Sequence, residues 1–292
     1  MIDQGKINQQ IVLKDGRQLG YAEYGEAEGQ PVFFFHGSAS SRLDRPASEE
    51  ILIEGNIRLI AVDRPGHGLS DFQPHRRLLD WAEDVVQLAD YLNIDQFYLV
   101  GHSAGGPHAL ACAYQHPERI RAGAAVSSVA PMNRPGAYAG MPVLNQVLAR
   151  SARRAPWVTM LIRWLLRRMI MGDVERATRQ IMASIPDSDK EALYDPKNVE
   201  IMAASIREGF RPGHRGVALD DILVNGEWGF ELEEVKPRID VWHGEADVNV
   251  PVQAGYYLAD HLPNSRRFIL PGKGHFFLLS YWGEVFSELV GL

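Results

Sequence analysis

Short, fully apolar runs alternate with stretches of helical spacing along most of this chain, and no other feature narrows its fold as far. Pro31–Phe35, Leu59-Ile60-Ala61-Val62 within Arg58–Asp63, Phe97–Val100 and Ile120–Val126 are such runs. Between them, Asp80 to Leu92 puts Val85, Leu88, Ala89 and Leu92 on one helical face. Ala109–Tyr114 also reads as helix, closed by Pro117. A strand that is apolar throughout must be covered on both faces. Repeated strand–helix units therefore predict an α/β fold with a mostly parallel central sheet and helices on either side. Ahead of them, Ile11–Leu13 and Gln18–Tyr24 flank Asp15-Gly16, which predicts an N-terminal antiparallel hairpin.

The alternation stops near Ala130 and returns at Arg238–Trp242, the helix around Val252–Leu262, the strand Arg267–Leu270 and a last helix from about Phe277. Residues 131–235 hold helical stretches broken by prolines and no good strand. The expected organisation is one α/β core, residues 1–130 and 236–292, with a helical cap inserted at 131–235. A chain of 292 residues is long enough for this, since a fold of ~300 residues hides about three-quarters of its unfolded surface.

Net charge −7 argues against a general nucleic-acid binder. The single cysteine, Cys112, excludes an internal disulfide and a cysteine-based zinc cluster. Met1 to Gln10 is polar and lacks the apolar core of a signal peptide, and no run approaches the ~18 apolar residues of a membrane span. A cytoplasmic location is expected.

Gly101-His102-Ser103-Ala104-Gly105 fits G-x-S-x-G between a buried strand and a helix, the context such a motif requires. The glycines let the chain turn sharply and lift a serine above the sheet edge. A serine hydroxyl needs a base, and the base needs an orienting acid. Downstream of Ser103 stand His214, His243, His261 and His275. His275 follows the Arg267–Leu270 strand in Pro271-Gly272-Lys273-Gly274-His275-Phe276, at a strand end, where α/β sheets hold ligands. Asp247, in His243-Gly244-Glu245-Ala246-Asp247, occupies a second strand-end loop and is the expected acid, with Glu245 its competitor. Histidines 36, 67 and 108 read as structural, His36 bracing its loop, and His102 is expected to point away from the reacting face. His36, Gly37, His102 and Phe276 are nonetheless the candidates for lining a substrate pocket.

These motifs together resemble the α/β-hydrolase fold superfamily, in its serine-nucleophile branch with a helical cap. His36-Gly37 is similar to the oxyanion loop, Asp63-Arg64-Pro65-Gly66-His67-Gly68-Leu69-Ser70 to D-x-P-G-x-G-x-S, Gly101–Gly105 to the nucleophile elbow, His243–Asp247 to H-G-x-x-D and Gly274-His275 to the histidine loop. One departure is Ser38-Ala39-Ser40-Ser41-Arg42, where many relatives carry Pro-Gly. The resemblance implies a Ser103, His275, Asp247 triad, with backbone N–H groups of Ala104 and Ser38 as oxyanion donors. It implies no metal and no organic cofactor. Ser103 argues against the branches that use an aspartate nucleophile. Ester hydrolysis comes first. Carbon–carbon, lactone or amide cleavage, acyl transfer and cofactor-free perhydrolysis use the same triad, and a ligand receptor on the same fold is the non-enzyme alternative.

Residues 131–180 carry nine arginines against Asp173 and Glu175, a local charge of +7. The stretch Trp157–Met171 is apolar and aromatic, with Arg163, Arg167 and Arg168 set into it. An apolar cap face over the serine, with arginines in water or paired with core acids, predicts a small-molecule substrate with a hydrophobic acyl or alkoxy part. A homodimer through the cap and contact with an anionic membrane surface are the other readings of this segment.

Overall fold

The computed structural model describes residues 4–134, 136–172 and 185–291. Eight strands form one sheet in the order β1-β2-β4-β3-β5-β6-β7-β8. They are β1 (Gln9–Val12), β2 (Gln18–Gly25), β3 (Gln30–Phe35), β4 (Ile57–Val62), β5 (Phe97–His102), β6 (Ile120–Val126), β7 (Ile239–Gly244) and β8 (Ser265–Leu270). β2 runs antiparallel to both β1 and β4, and every other pairing is parallel. The expected hairpin is present, with Val12 opposite Gln18 across the Asp15-Gly16 turn.

β3 shows why the sheet is central. Val32 to Phe35 are all fully buried, and their side chains divide between two apolar layers. Phe33 and Phe35 join Trp81 and Val85 of helix α3 (Asp80–Tyr91) and Leu110 of helix α4 (Gly105–Gln115). Val32 and Phe34 join Leu52 of helix α2 (Glu50–Glu54) and Trp282 and Phe286 of the C-terminal helix (Leu278–Val290). Burial of each such side chain contributes about 1.5–3 kcal/mol. Parallel pairing brings the carboxyl ends of β3 to β8 to one edge, and the loops there carry Ser103, Asp247 and His275.

Helix α4 begins four residues before the expected start, and β5 continues two residues past Val100. Register pairing of Gly101 with Ala125 and His102 with Val126 carries the strand into the turn. Every described regular element between β6 and β7 is helical. These are α5 (Val143–Arg154), α6 (Pro156–Gly172), the short α7 (Asp187–Lys190), a 3₁₀ turn (Glu191–Leu193), α8 (Pro196–Gly209), α9 (Arg215–Asn225) and a second 3₁₀ turn (Leu232–Glu234). Asp195 caps α8 by accepting from Lys197 N–H, and Pro196 occupies its first turn. Of the arginine-rich stretch, Asp173, Glu175, Arg176 and Arg179 lie outside the described residues.

The outer face of α5–α6 differs from the expected arrangement of apolar side chains inward and arginines outward. Trp157 is 70% exposed, with Leu161, Trp164 and Leu165 exposed beside it. Arg163 and Arg167 turn inward instead. Arg163 pairs with Asp221 of α9 at 2.5 Å, an acid of the helical region and not of the core, and Arg167 donates to Phe210 O at 2.9 Å. Among the described residues, no helix is long and apolar enough to cross a membrane.

Candidate active site

Ser103 stands between β5 and α4 with φ +55°, a left-handed conformation that costs a non-glycine residue of order 1–3 kcal/mol. The neighbouring glycines make this turn sterically feasible. A Cβ on Gly101 would lie 2.5 Å from Gly105 O, and one on Gly105 would lie 1.9 Å from Phe35 O. Ala104, the residue after the serine, is the N-cap of helix α4, so its N–H has no intrahelical acceptor. The His36-Gly37 loop lies alongside, since a Cβ on Gly37 would sit 3.5 Å from Ser103 Cβ.

His275, in the loop after β8, places Nε2 3.0 Å from Ser103 Oγ and Nδ1 2.8 Å from Asp247 Oδ2. With Nδ1–H donating to the carboxylate, Nε2 is left to accept from the serine. Asp247 is held in turn: Oδ1 accepts from the N–H groups of Asn249 and Val250 at 2.8 and 2.9 Å. His243 Nε2 is 3.4 Å from Asp247 Oδ2 and donates to Val250 O at 2.8 Å. Burial raises the cost of the Asp247 charge. The His275 charge and the hydrogen bonds from His243 and His275 outweigh it, and the carboxyl titrates well below the usual range. For His275, burial opposes the imidazolium, yet the adjacent Asp247 carboxylate prevails and its pKa lies above the ordinary value. Glu245, the competing acid, is exposed, and His275 bonds only to Asp247 of the two.

The other sequence candidates take distinct places. Phe276, Gly37 and Ser38 line the cavity above Ser103. His102 lines it too, contrary to the expectation that it points away. Its Nε2–H donates to His275 O at 3.2 Å, and burial holds its pKa down to about 3, so it sits there neutral. His36 is corrected: it is fully buried and does not line the cavity. Its Nδ1–H donates to Gly37 O at 2.8 Å and its Nε2 faces Arg64 N–H at 3.5 Å. Phe277, the neighbour of Phe276, is buried in the layer of Trp282. His214 begins α9 and His261 stacks on Tyr257, neither at the site.

Beneath the His36 loop lies a buried network that joins the Asp63–Ser70 loop to the helical region. Arg64 donates to His36 O at 2.5 Å and to Gly37 O at 3.0 Å, and pairs with Asp220 of α9 at 2.5 Å. Arg76 pairs with the other oxygen of Asp220, and His67 and His108 lie at 3.6 and 3.8 Å from the same carboxylate. Burial lowers both guanidinium pKa values to about 9 and keeps both histidines neutral. The next residue, Asp221, accepts from Ser38 Oγ at 2.8 Å and holds Arg163. Two adjacent acids of one helix thus grip the loop beside Ser103 from two sides.

The cavity holds about 400 Å³. One wall is the core loops. The other comes from the helical region: Leu148 of α5, Thr159, Ile162 and Arg163 of α6, and Met202 of α8. Asp44 also reaches it, and burial pushes its carboxyl up to about 6.

Comparison with known proteins agrees with this architecture. The family described as alpha/beta hydrolase fold matches residues 30–280. The chain belongs to that family and is a hydrolase by its relatives. It is 27% identical over 290 residues to a 2-hydroxymuconate semialdehyde hydrolase of Pseudomonas putida, covering 94% of this chain and 92% of that protein. The fold is shared with a hydrolase from Pseudomonas aeruginosa (TM-score 0.72, 19% identity, 99% and 100% of the two chains). It is shared equally with the esterase RhEst1 from Rhodococcus sp. (TM-score 0.67, 21% identity, 98% of each chain).

Proposed function

We propose that the protein is a serine hydrolase acting on uncharged carboxylic esters with a hydrophobic acyl or alkoxy part. The observation that carries this reading is the unbroken relay Asp247–His275–Ser103, at 2.8 and 3.0 Å, opening into a mostly apolar cavity. Ser103 Oγ attacks the acyl carbon while His275 Nε2 takes its proton. Asp247 stabilises the imidazolium that forms and holds its tautomer. The N–H groups of Ala104 and Ser38 receive the oxyanion, each donor contributing about 3–4 kcal/mol in the transition state. His275 then gives its proton to the leaving alkoxide, and a water activated by the same imidazole hydrolyses the acyl-enzyme. No step in this sequence calls for a metal or an organic cofactor.

The argument for an uncharged substrate is electrostatic. Arg163 reaches the cavity but is neutralised by Asp221 at 2.5 Å. Recruiting a substrate carboxylate there would strip a partner from Asp221. A second reading, cleavage of a carbon–carbon bond in a carboxylated semialdehyde, is favoured by the relative named above, which the chain matches over almost its whole length. One screen separates the two: steady-state turnover of p-nitrophenyl esters of increasing chain length, of lactones, and of 2-hydroxymuconate semialdehyde. Turnover of the esters alone supports the first reading, and turnover of the semialdehyde alone replaces it. In either case Ser103→Ala should lower kcat by several orders of magnitude, leaving a residue of catalysis from the oxyanion donors. An active Ser103→Ala protein would remove the triad altogether.

A further inference from the structure

Between the acid loop and the histidine loop lies a piece of chain that belongs to neither. Helix α7, four residues long, reaches back from the helical region to the strand ends. Ser188 Oγ donates to Ala246 O at 3.2 Å, one residue before Asp247. Ser188 O accepts from Gly274 N–H at 3.2 Å, one residue before His275. Asp189 Oδ1 accepts from Phe276 N–H at 2.7 Å, one residue after it. On the rim, Glu191 pairs with Lys273 at 2.6 Å. The segment therefore holds the acid loop at one point and brackets His275 on both sides.

Asp189 is the unusual member. It is fully buried, and its Oδ2 has no hydrogen-bond partner. The histidine loop is shaped around it: a Cβ on Gly274 would lie 2.3 Å from Asp189 Oδ1 and 2.7 Å from Oδ2. A glycine before the histidine is thus explained by a carboxylate from a distant part of the chain. A buried carboxyl with one open oxygen costs stability unless it does something for the folded state.

We propose that α7 is a clamp that fixes the acid loop against the histidine loop, and that Asp189 is a positioning residue for His275. Asp189 acts by gripping the backbone on the far side of the imidazole and by adding a second negative charge beside it. The inference rests on the catalytic reading of His275. Ser103→Ala tests that reading without touching α7, so the two can fail separately.

The electrostatics give a readout that a packing role would not move. Around His275 stand Asp247 on Nδ1, Ser103 on Nε2, the neutral His102 with ring centroids 5.2 Å apart, and His243 behind Asp247. Asp189 is the other acid whose charge raises the His275 pKa. Burial pushes the Asp189 carboxyl itself upward, while the bond from Phe276 N–H and the His275 charge favour its ionised form. His275 must be neutral to act as base, so activity is lost as pH falls through its pKa. Removing the Asp189 charge lowers that pKa, and the acid limb should move to lower pH.

The test is the pH profile of kcat and kcat/KM for purified Asp189→Asn, Asp189→Ala and Ser188→Ala, each checked for folding by circular dichroism. Asp189→Asn retains an acceptor for Phe276 N–H and loses the charge. It should shift the acid limb downward with a fall in plateau kcat of less than about tenfold. Asp189→Ala loses both and should lower kcat roughly 10- to 100-fold with KM nearly unchanged, the signature of a misplaced catalytic group. A folded Asp189→Asn with the wild-type limb and the wild-type kcat overturns the proposal. If neither Asp189 variant folds, Ser188→Ala decides, because it deletes only the tie to Ala246 O. A lower kcat at constant KM supports the clamp, and an unchanged kcat overturns it.

Discussion

The side chains of the proposed triad and the walls around them come from regions built on different principles. Ser103, Asp247 and His275 stand on turns after β5, β7 and β8, strands bonded to their neighbours in a parallel sheet. Their positions follow from the sheet and from turns that tolerate few side chains. The facing wall comes from α5, α6, α8 and α9, whose side chains meet the core through small apolar contacts such as Ala39 with Ile170, Phe210 and Val217. The first region can hold a proton relay to a few tenths of an ångström. The second can change its lining without disturbing that relay. A fold divided this way keeps one chemistry while its substrate varies.

If the division holds, the largest effect of any single exchange apart from loss of Ser103 belongs to a core position. Asp247→Asn conserves size, removes the charge and tends to hold His275 in the wrong tautomer, which by the serine-protease precedent costs about 10⁴-fold in kcat. Glu245→Gln, in the same loop but exposed, should stay within a few-fold of wild type. Both are read from single-turnover rates on a short ester after folding is verified. An inactive Glu245→Gln beside an active Asp247→Asn would reassign the acid and break the comparison at its stronger end.

The division is bridged at several buried points, among them Ser205 of α8 on Ser40 and Ser41, Asp189 on Phe276 N–H, and Asp220. Asp220 belongs to α9 of the helical region, yet it pairs with both Arg64 and Arg76 beneath the His36 loop. Asp220→Ala leaves two buried guanidinium groups without their partner, a change that costs about 3–5 kcal/mol. At 2–4 °C per kcal/mol for larger domains, the thermal midpoint should fall by roughly 10 °C. The kcat should fall as well, because Arg64 holds the carbonyls of His36 and Gly37. Differential scanning calorimetry and kcat on one preparation check both. A variant as stable as wild type would mean that the network is not sustained by this carboxylate.

The same contrast explains what could be read from the residues alone. Apolar runs such as Phe97–Val100 announce a buried strand, and a strained serine turn needs glycines at fixed spacing. The sheet and the three loops at its edge are therefore visible in one dimension. Strand ends were displaced by only a few residues, where hydrogen bonding carried β5 into its turn. Asp189, Asp220 and Asp221 had no such signal. Each is an ordinary acid in a helical stretch, and its partners lie 58 to 183 residues away in the chain. His36 divides its two readings: its ring bonds within its own loop and faces Arg64, as a bracing residue does, and it does not line the cavity. The arginines of α6 were legible as a charge and illegible as a direction, because helical periodicity does not say which stripe meets the core.

The smallest effect predicted tests whether the helical wall sets chain length and nothing else. Ile162 of α6 lines the cavity and is apolar. Ile162→Ala lengthens the apolar slot, and each methylene it admits is worth about 0.8 kcal/mol, roughly fourfold in kcat/KM. The optimum of a p-nitrophenyl ester series should move by one or two carbons toward longer acyl chains, while acetate turnover stays within about twofold. Ile162→Phe should move the optimum the other way by filling the same space, at a cost near 1–3 kcal/mol if the neighbours cannot give. Opposite displacements of the optimum at constant acetate kcat would sharpen the comparison. A uniform loss across all chain lengths would sink it, because the wall would then be supporting the relay rather than measuring the substrate.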